Sequence, residues 1–591
     1  MISSITIIQF KRTISLLWFE LGLNIFNQRE VEVKEIAIIG MGPRGSSLLE
    51  RCIAFVRDYH LEDKISFLLF NKSGESGSGC HSSNMPSDLL ANTVASQMTM
   101  YYGDAMESYG PVNDGPCFFD WHTYIKNEPI GRSDYPARKV LGEYLNYFYK
   151  QQIDMLNKLN ISFIEINEEV QDVAPHGEYS MIKTFSENYL VDMAVLCTGH
   201  ENMERIEGRE IDFILSTNIL NNIPHGVHVG VQGMGLTAFD VISRLTEGRG
   251  GVFHEKEDGS LKYSPSGNEP TLHLFSRTGV FLSSRAYNSD TSYVYKPSIF
   301  NIESINYLRE SKGQLDFEAD ILPLLIAELQ IAYKQRGGVG VLDTDMFFNP
   351  ERNIDYSSVD SFTDSFCRYL RWDYQQAKIG KFCSPYKFCQ DVVRDLRDVI
   401  RCAVDHHGIN SESHSALINL WQPIINKICV GPPYIRLMQL EALINAGVCV
   451  VETAVMPLVQ KIDTGYMLTQ MLGGVENSKQ VGYLVKARMP TINYLEREDT
   501  LAANLKNRYK CFKNEDFSYG GLEVDNKHRV INLDNTASTT LRAIGLPAEG
   551  SKYFTLVLSR PNMMSTFLYD SNLLAKDIIS ILSPSLASGA N

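Results

Sequence analysis

IAIIGMGPRGSSLLERCIAFVRDY, residues 36–59, reads as a buried strand over 36–40, a glycine turn, and an amphipathic helix over 46–59. The unbroken apolar run suits a strand covered on both faces, as in parallel sheets. After Ser46 the apolar positions recur about every third or fourth residue, which is a helical period. Gly40, Gly42 and Gly45 have G-x-G-x-x-G spacing. That spacing allows a tight turn, close approach of the backbone to a pyrophosphate, and helix-on-strand packing, with the anion at the helix N-terminus. A bare glycine triplet is weak evidence; the strand before it and the helix after it supply the context. A second strand, ISFLLF at 65–70, completes the start of a doubly wound α/β unit. The acid expected at its end is missing, because the strand runs into Asn71 and Lys72. The Asn71 amide oxygen can still accept a ribose hydroxyl hydrogen bond.

The pattern occurs twice. VHVGVQGMGLTAFDVISRLTEGRGG, 227–251, carries Gly233, Gly235, Leu236 and Thr237 between a buried strand and a helix. Its partner strand, TLHLFSRTG at 271–279, ends in Ser276 and Arg277, and a guanidinium there suits a 2′-phosphate and hence NADPH over NADH. The bland alternative for Arg277 is a surface ion pair of little energetic consequence. EDGS at 257–260 carries turn chemistry, so the stretch between 251 and 271 reads as a solvated hairpin.

The expected fold class is therefore α/β: two Rossmann-like dinucleotide-binding domains, one for FAD and one for NADPH, with an inserted mainly helical region. The expected boundaries are an N-terminal extension at 1–33, the first part of the FAD domain at 34–200, the NAD(P)H domain at 201–300, the helical insertion at 301–450, and a return to the FAD domain with a C-terminal helix at 451–591. The loop-rich stretch from about 71 to 135 is long for a compact domain, and such loops are usually functional. In the extension, Ile14, Leu17, Trp18, Leu21 and Ile25 recur at helical spacing, but Glu20 interrupts the run well short of the about 20 apolar residues that span a bilayer. An appended soluble helix or an over-long start is expected, with a membrane-surface helix as the alternative.

Composition narrows the function classes. At 591 residues, a prior of roughly 150 per domain gives three to four units. Asp and Glu total 70 against 55 Lys and Arg, and the net charge of −15 has the wrong sign for neutralising a nucleic-acid backbone. The positive potential needed for two pyrophosphates should then be confined to the cleft between the domains. The 11 cysteines include no C-x-x-C pair and read as free thiols of a cytoplasmic protein, and no metal site is expected.

GMGPRGSSLLER, LLANTVASQMTMY, YPARKVLGEYLNYF, VGVQGMGLTAFDVISRLTEGRGG, LFSRTG and IGLPAEG together resemble the FAD/NAD(P)-binding oxidoreductases that include amino-acid N-hydroxylating flavin monooxygenases, of the aspartate N-hydroxylase, nitrosuccinate-forming type. The resemblance runs from about residue 34 to 580. It implies that Gly40, Gly42, Pro43, Arg44 and Gly45 hold the FAD pyrophosphate. It further implies that Asn92, Thr93 and Gln97 lie by the isoalloxazine, with Asn92 and Gln97 the catalytic candidates, and that Gly545 and Leu546 close over FAD. Leu546 stands where flavoproteins of this kind usually have Asp.

The expected reaction is reduction of the flavin by NADPH, addition of O2, and attack by a neutral amine on the distal oxygen of a C4a-hydroperoxyflavin, with the protein excluding water and retaining NADP+. No side-chain nucleophile is needed. The substrate expected is a small amine or aspartate-like amino acid, with Arg285, Arg436 and Arg488 as candidate carboxylate clamps. Alternatives are a flavin-dependent NAD(P)H oxidoreductase without oxygen insertion, or a non-catalytic, cofactor-bearing partner protein of a biosynthetic pathway. A homo-oligomer or a biosynthetic partner enzyme remains open, while neither nucleic acid nor a membrane span is expected. His81 and His200 are possible cofactor neighbours; His406 and His407, adjacent near a helix end, suit capping and not metal binding.

Overall fold

In the computed structural model the described residues are 33–72, 75–200, 205–212, 218–489, 492–514, 517–563 and 565–582. The expected helix of the N-terminal extension lies outside them. Among the described residues no helix is long and apolar enough to cross a membrane.

Two parallel-type sheets of six strands organise the chain. In the first, the order is Arg529–Ile531, Ala537–Ala543, Met193–Leu196, Lys34–Ile39, Ile65–Phe70, Ser162–Ile166. Only the outermost pair at the C-terminal edge is antiparallel. Ile36, Ala37, Ile38 and Ile39 are all buried, as an apolar run covered by helices requires. The helices Pro43–Tyr59 and Thr566–Leu582 cover one face, where Leu48, Leu49, Ile53 and Val56 share a core with Leu574, Ala575 and Ile578. The first helix starts earlier than its apolar period suggests, because Pro43 sits in its first turn with the backbone already shaped for a helix.

The second sheet has the order Cys449–Val450, Thr271–Phe275, His228–Gln232, Tyr483–Lys486, Glu210–Asp212, Arg205–Glu207. The polar stretch between its first helix and second strand is an antiparallel hairpin, Val252–Glu255 with Leu261–Ser264. In each sheet the strand before the glycine turn has later strands on both sides, which creates a topological switch point where ligands of such folds bind.

Two expected boundaries are corrected. Residues 451–591 do not all return to the first sheet: Tyr483–Lys486 belongs to the second, and the meander Leu458–Ile462, Gly465–Leu472, Val475–Val481 adjoins it. The first sheet's core resumes only with Tyr494, Ala502 and Leu505. Nor is 301–450 one insertion. Helices Val359–Lys378 and Tyr434–Asn445 send Phe362, Phe366, Leu437 and Leu440 into the second sheet's core. The remaining helices build a separate core around Phe317, Leu325, Phe347, Phe388 and Ile425, which also takes in Tyr553 from the C-terminal part. Helical period identifies the elements but not the partner each apolar face meets.

Candidate active site

The two glycine turns are built alike. Gly40 has φ +101°, and a Cβ there would lie 2.9 Å from the Cys197 backbone carbonyl carbon and oxygen, across the switch point. A Cβ on Gly45 would lie 2.2 Å from the Gly40 oxygen. Gly42 is different: its Cβ would meet only Gly79, at 3.4 Å from Cα. It caps Pro43–Tyr59 without a side-chain hydrogen bond or an acid in the first turn, so the first-turn N–H groups and the helix dipole are left to an anion. In the second turn Gly233 has φ +126°, and its Cβ would come within 2.3 Å of the Ala487 oxygen, again across the switch point. Gly235 has open space where a Cβ would stand and caps Leu236–Leu245, also without an acid in the first turn. Each turn thus pairs backbone-crowded glycines with an open one facing the helix N-terminus. That cradle fits a dinucleotide pyrophosphate.

Around the first turn the C-terminal part closes in. Gly545, at φ +76°, has Arg44 where its Cβ would be, 3.2 Å from Cγ and Nε, and Leu546 is buried in the short turn Leu546–Ala548. Arg44 itself reaches into the C-terminal part. Its guanidinium donates to the Phe567 and Thr555 carbonyl oxygens at 2.8 and 3.3 Å and lies 4.1 Å over the Phe567 ring. Burial pushes it down to about 10. Arg44 thus ties the turn to the C-terminal helix through its side chain. Asn71, at the carboxyl end of its strand, donates to Ser76 Oγ at 3.2 Å.

Around the second turn, the Ser276 hydroxyl accepts from the Gly279 N–H at 3.0 Å and shapes the loop. Thr237 is buried and Leu236 half-buried in the first turn of the helix. Arg277 is exposed, and no hydrogen bond or ion pair to it is recorded among the described residues. Arg488 is likewise exposed, just past the strand Tyr483–Lys486 and next to the Ala487 that faces Gly233. It therefore stands at the second sheet's carboxyl edge and does not line the pocket at Arg285.

The segment carrying Asn92, Thr93 and Gln97 lies where the two units meet. Asp88 pairs with Arg244 at 3.0 Å, and Arg138 pairs with Asp240 at 2.5 Å while donating to the Leu90 oxygen at 3.1 Å. Arg244 and Asp240 belong to the helix that follows the second glycine turn. Burial pushes the Asp240 carboxyl up, and the Arg138 guanidinium works against that. Gln97 is buried in the short turn Ala95–Gln97, whereas Asn92 and Thr93 are half-buried. The Asn92 backbone oxygen accepts from Arg285.

Arg285 opens a small pocket, also lined by Ser284, Lys387, Gln390, Asp391 and Arg394. Burial pushes the Arg285 guanidinium down, with Tyr135 and Asp391 opposing. Lys387 donates to Asp373 and the Ser284 oxygen, at 2.7 and 2.8 Å. The third clamp candidate, Arg436, does not join this pocket. It is buried and its guanidinium serves Glu247, Gln439 and the Asp88 oxygen. Most of the guanidinium groups in this region are already partnered by carboxylates or backbone oxygens.

Sequence reasoning missed Gln390, Arg394 and the pairing of Arg138 with Asp240. Lys387, Gln390, Asp391 and Arg394 form one polar helix stripe, which alone reads as a solvated face. Of the histidines, His200 follows the strand Met193–Leu196 with its Nε2 buried and unpartnered, and burial lowers its pKa. His407 stacks on Phe512 and faces Glu523 at 3.6 Å.

Residues 37–201 match the family model described as FAD-NAD(P)-binding. Nitrosuccinic acid synthase of Aspergillus oryzae is 27% identical, with 92% of this chain and 92% of that protein covered. L-aspartate N-monooxygenase (nitrosuccinate-forming) of Streptomyces cremeus is 26% identical over 92% of this chain and 95% of that protein. Among solved structures, ornithine hydroxylase from Pseudomonas aeruginosa is 10% identical, covers 94% of this chain and 100% of its own, and superposes with a TM-score of 0.42.

Proposed function

We propose that this chain is a cytoplasmic FAD- and NADPH-dependent monooxygenase that hydroxylates the nitrogen of a short, aspartate-like amino acid. The observation that carries the reading is the pairing of two open-glycine cradles, Gly42 and Gly235, with a pocket lined by the half-buried Arg285 and the buried Arg394. Full-length similarity to two nitrosuccinate-forming proteins supports the substrate class. The overall balance is R-NH2 + O2 + NADPH + H+ → R-NHOH + NADP+ + H2O.

The bound flavin supplies oxygen activation. The chain's own residues bind, orient and exclude water. The helix beginning at Pro43 neutralises one pyrophosphate through its N-terminus, and the helix beginning at Leu236 neutralises the other. Arg277, exposed and without a partner among the described residues, takes the 2′-phosphate. The Asn92, Thr93 and Gln97 side chains offer amide and hydroxyl groups to the ring edge. Arg285 holds a substrate carboxylate while its contact to the Asn92 oxygen fixes the ring-side segment to the pocket. Anchoring the carboxylate presents the amine in one orientation, which is the positioning contribution to rate. The Arg138–Asp240 and Asp88–Arg244 pairs hold the nicotinamide unit against the flavin unit.

The test is purification, reconstitution with FAD, and NADPH consumption across an amino-acid panel with detection of oxidised nitrogen. L-aspartate should stimulate NADPH consumption and yield an N-oxidised product. A protein that cannot be loaded with FAD would overturn the reading. NADPH oxidation that ignores every amine and returns all its electrons as hydrogen peroxide would favour the reductase instead.

A further inference from the structure

The helix Pro385–Asp395 carries Lys387, Gln390, Asp391 and Arg394 at i, i+3, i+4 and i+7, on the face that lines the Arg285 pocket. Gln390 is 4% exposed, yet neither its amide nitrogen nor its amide oxygen has a hydrogen-bond partner among the described residues. Arg394 is 8% exposed; one end of its guanidinium pairs with Asp391 at 2.5 Å, while Nε has no partner. Buried polar groups are normally satisfied, because leaving one bare forfeits its hydration without return. Glu328, by contrast, accepts from Tyr295 OH and from the N–H groups of Ser298, Ile299 and Phe300, and among the described residues Gln390 is the buried amide with both ends bare. A buried amide with both ends free is therefore an exception that asks for a ligand.

The free atoms have a definite chemistry. An amide offers a donor to a carboxylate and an acceptor to an amine, while the bare Arg394 Nε–H is a charge-assisted donor to a carboxylate. Lys387 has two of its three ammonium donors committed to Asp373 and the Ser284 oxygen. Building on the function proposed above, we propose that Gln390 and Arg394 are the specificity-determining residues of the amine site. Gln390 reads the amino-acid head group, and Arg394, with Arg285, takes the second carboxylate of a short dicarboxylic amino acid.

An unpartnered buried amide lowers stability in return for binding, so its removal separates a functional from a structural role. The test uses the full-length enzyme loaded with FAD. Gln390→Leu keeps the approximate volume and deletes the amide; Arg394→Lys keeps the charge facing Asp391 and deletes the fork. For Gln390→Leu we expect a ligand-free Tm equal to or above wild type, loss of the Tm rise that L-aspartate produces in wild type, and a KM for L-aspartate raised at least tenfold with the KM for NADPH unchanged. For Arg394→Lys we expect at least a tenfold rise in KM for L-aspartate and weaker discrimination against L-asparagine, which lacks the second carboxylate. Gln390→Leu with a lower ligand-free Tm and a wild-type KM would make the amide structural and overturn the proposal. So would two variants that keep wild-type affinity and selectivity. A wild-type enzyme that neither turns over nor is stabilised by L-aspartate would overturn the functional reading itself, and the assignment of these residues with it.

Discussion

Gly42 and Gly45 are three residues apart in one motif, yet substituting each by Ala should break different things. At Gly45 the new Cβ would stand 2.2 Å from the Gly40 backbone oxygen. Forced overpacking costs typically about 1–3 kcal/mol, and backbone cannot rotate away as a side chain can. Better helix propensity returns about 1 kcal/mol. An approach of 2.2 Å to backbone puts the cost at the top of that range, so the net expectation for Gly45→Ala is a loss of about 2 kcal/mol, or a Tm drop on the order of 4–8 °C for a domain of roughly 150–250 residues. At Gly42, φ is −81° and the Cβ would meet only Gly79 at 3.4 Å. Ala is a poorer N-cap than Gly by about 0.5–1 kcal/mol, and the smaller unfolded-state entropy offsets about 0.4–1 kcal/mol. The stability of Gly42→Ala should thus stay within about 1 kcal/mol of wild type, while the methyl occupies the space a pyrophosphate needs, weakening FAD binding by about tenfold or more. The assay is apoenzyme titrated with FAD by flavin fluorescence, alongside thermal unfolding of both apo variants. Gly42→Ala that binds FAD within twofold of wild type would refute the cradle. Gly45→Ala with an unchanged Tm would refute the packing reasoning.

Arg277→Ala should raise the KM for NADPH about tenfold and leave that for NADH unchanged, since a lost phosphate contact is invisible to the unphosphorylated cofactor; steady-state kinetics with both cofactors measures this. Arg138→Ala leaves the Asp240 carboxylate buried without its guanidinium, and breaking such a pair costs about 3–5 kcal/mol. Anaerobic stopped-flow reduction of the flavin by NADPH should slow in that variant, whereas unchanged reduction would show that the pair does not align the two units. His528, His414 and His273 are each pushed down to about 4, chiefly by burial. Because the unfolded chain takes up these protons near pH 6.5 and the native chain only near pH 4, stability should fall as pH drops through that interval. Thermal melts from pH 7.5 to 4.5 should show it, and His528→Gln should flatten the slope; a Tm independent of pH would contradict the assignment.

How much of this was legible without the fold differs from residue to residue. The glycine turns announce themselves because their chemistry is local: a buried strand, small residues at fixed spacing and a helix start are all within 24 residues for the first motif, at 36–59. The helices between 301 and 450 show their period, but helix Val359–Lys378 and helix Pro385–Asp395 look alike as patterns and pack into different cores. Arg44 sits in the motif expected to hold a pyrophosphate, yet its partners Thr555 and Phe567 lie more than 500 residues further on. No local rule could have turned its side chain toward them.

The sequence by itself determined the fold class, the existence and order of the two glycine-turn units, and the glycines at which each turn is built. All follow from short-range steric and periodic constraints. Only the tertiary structure decided that strand Tyr483–Lys486 completes the second switch point, that Arg436 and Arg488 stand apart from Arg285, and that a polar helix stripe faces inward. Burial is a property of what packs against a side chain. For Gln390 and Arg394 that neighbour is the segment 283–286, more than a hundred residues earlier in the chain.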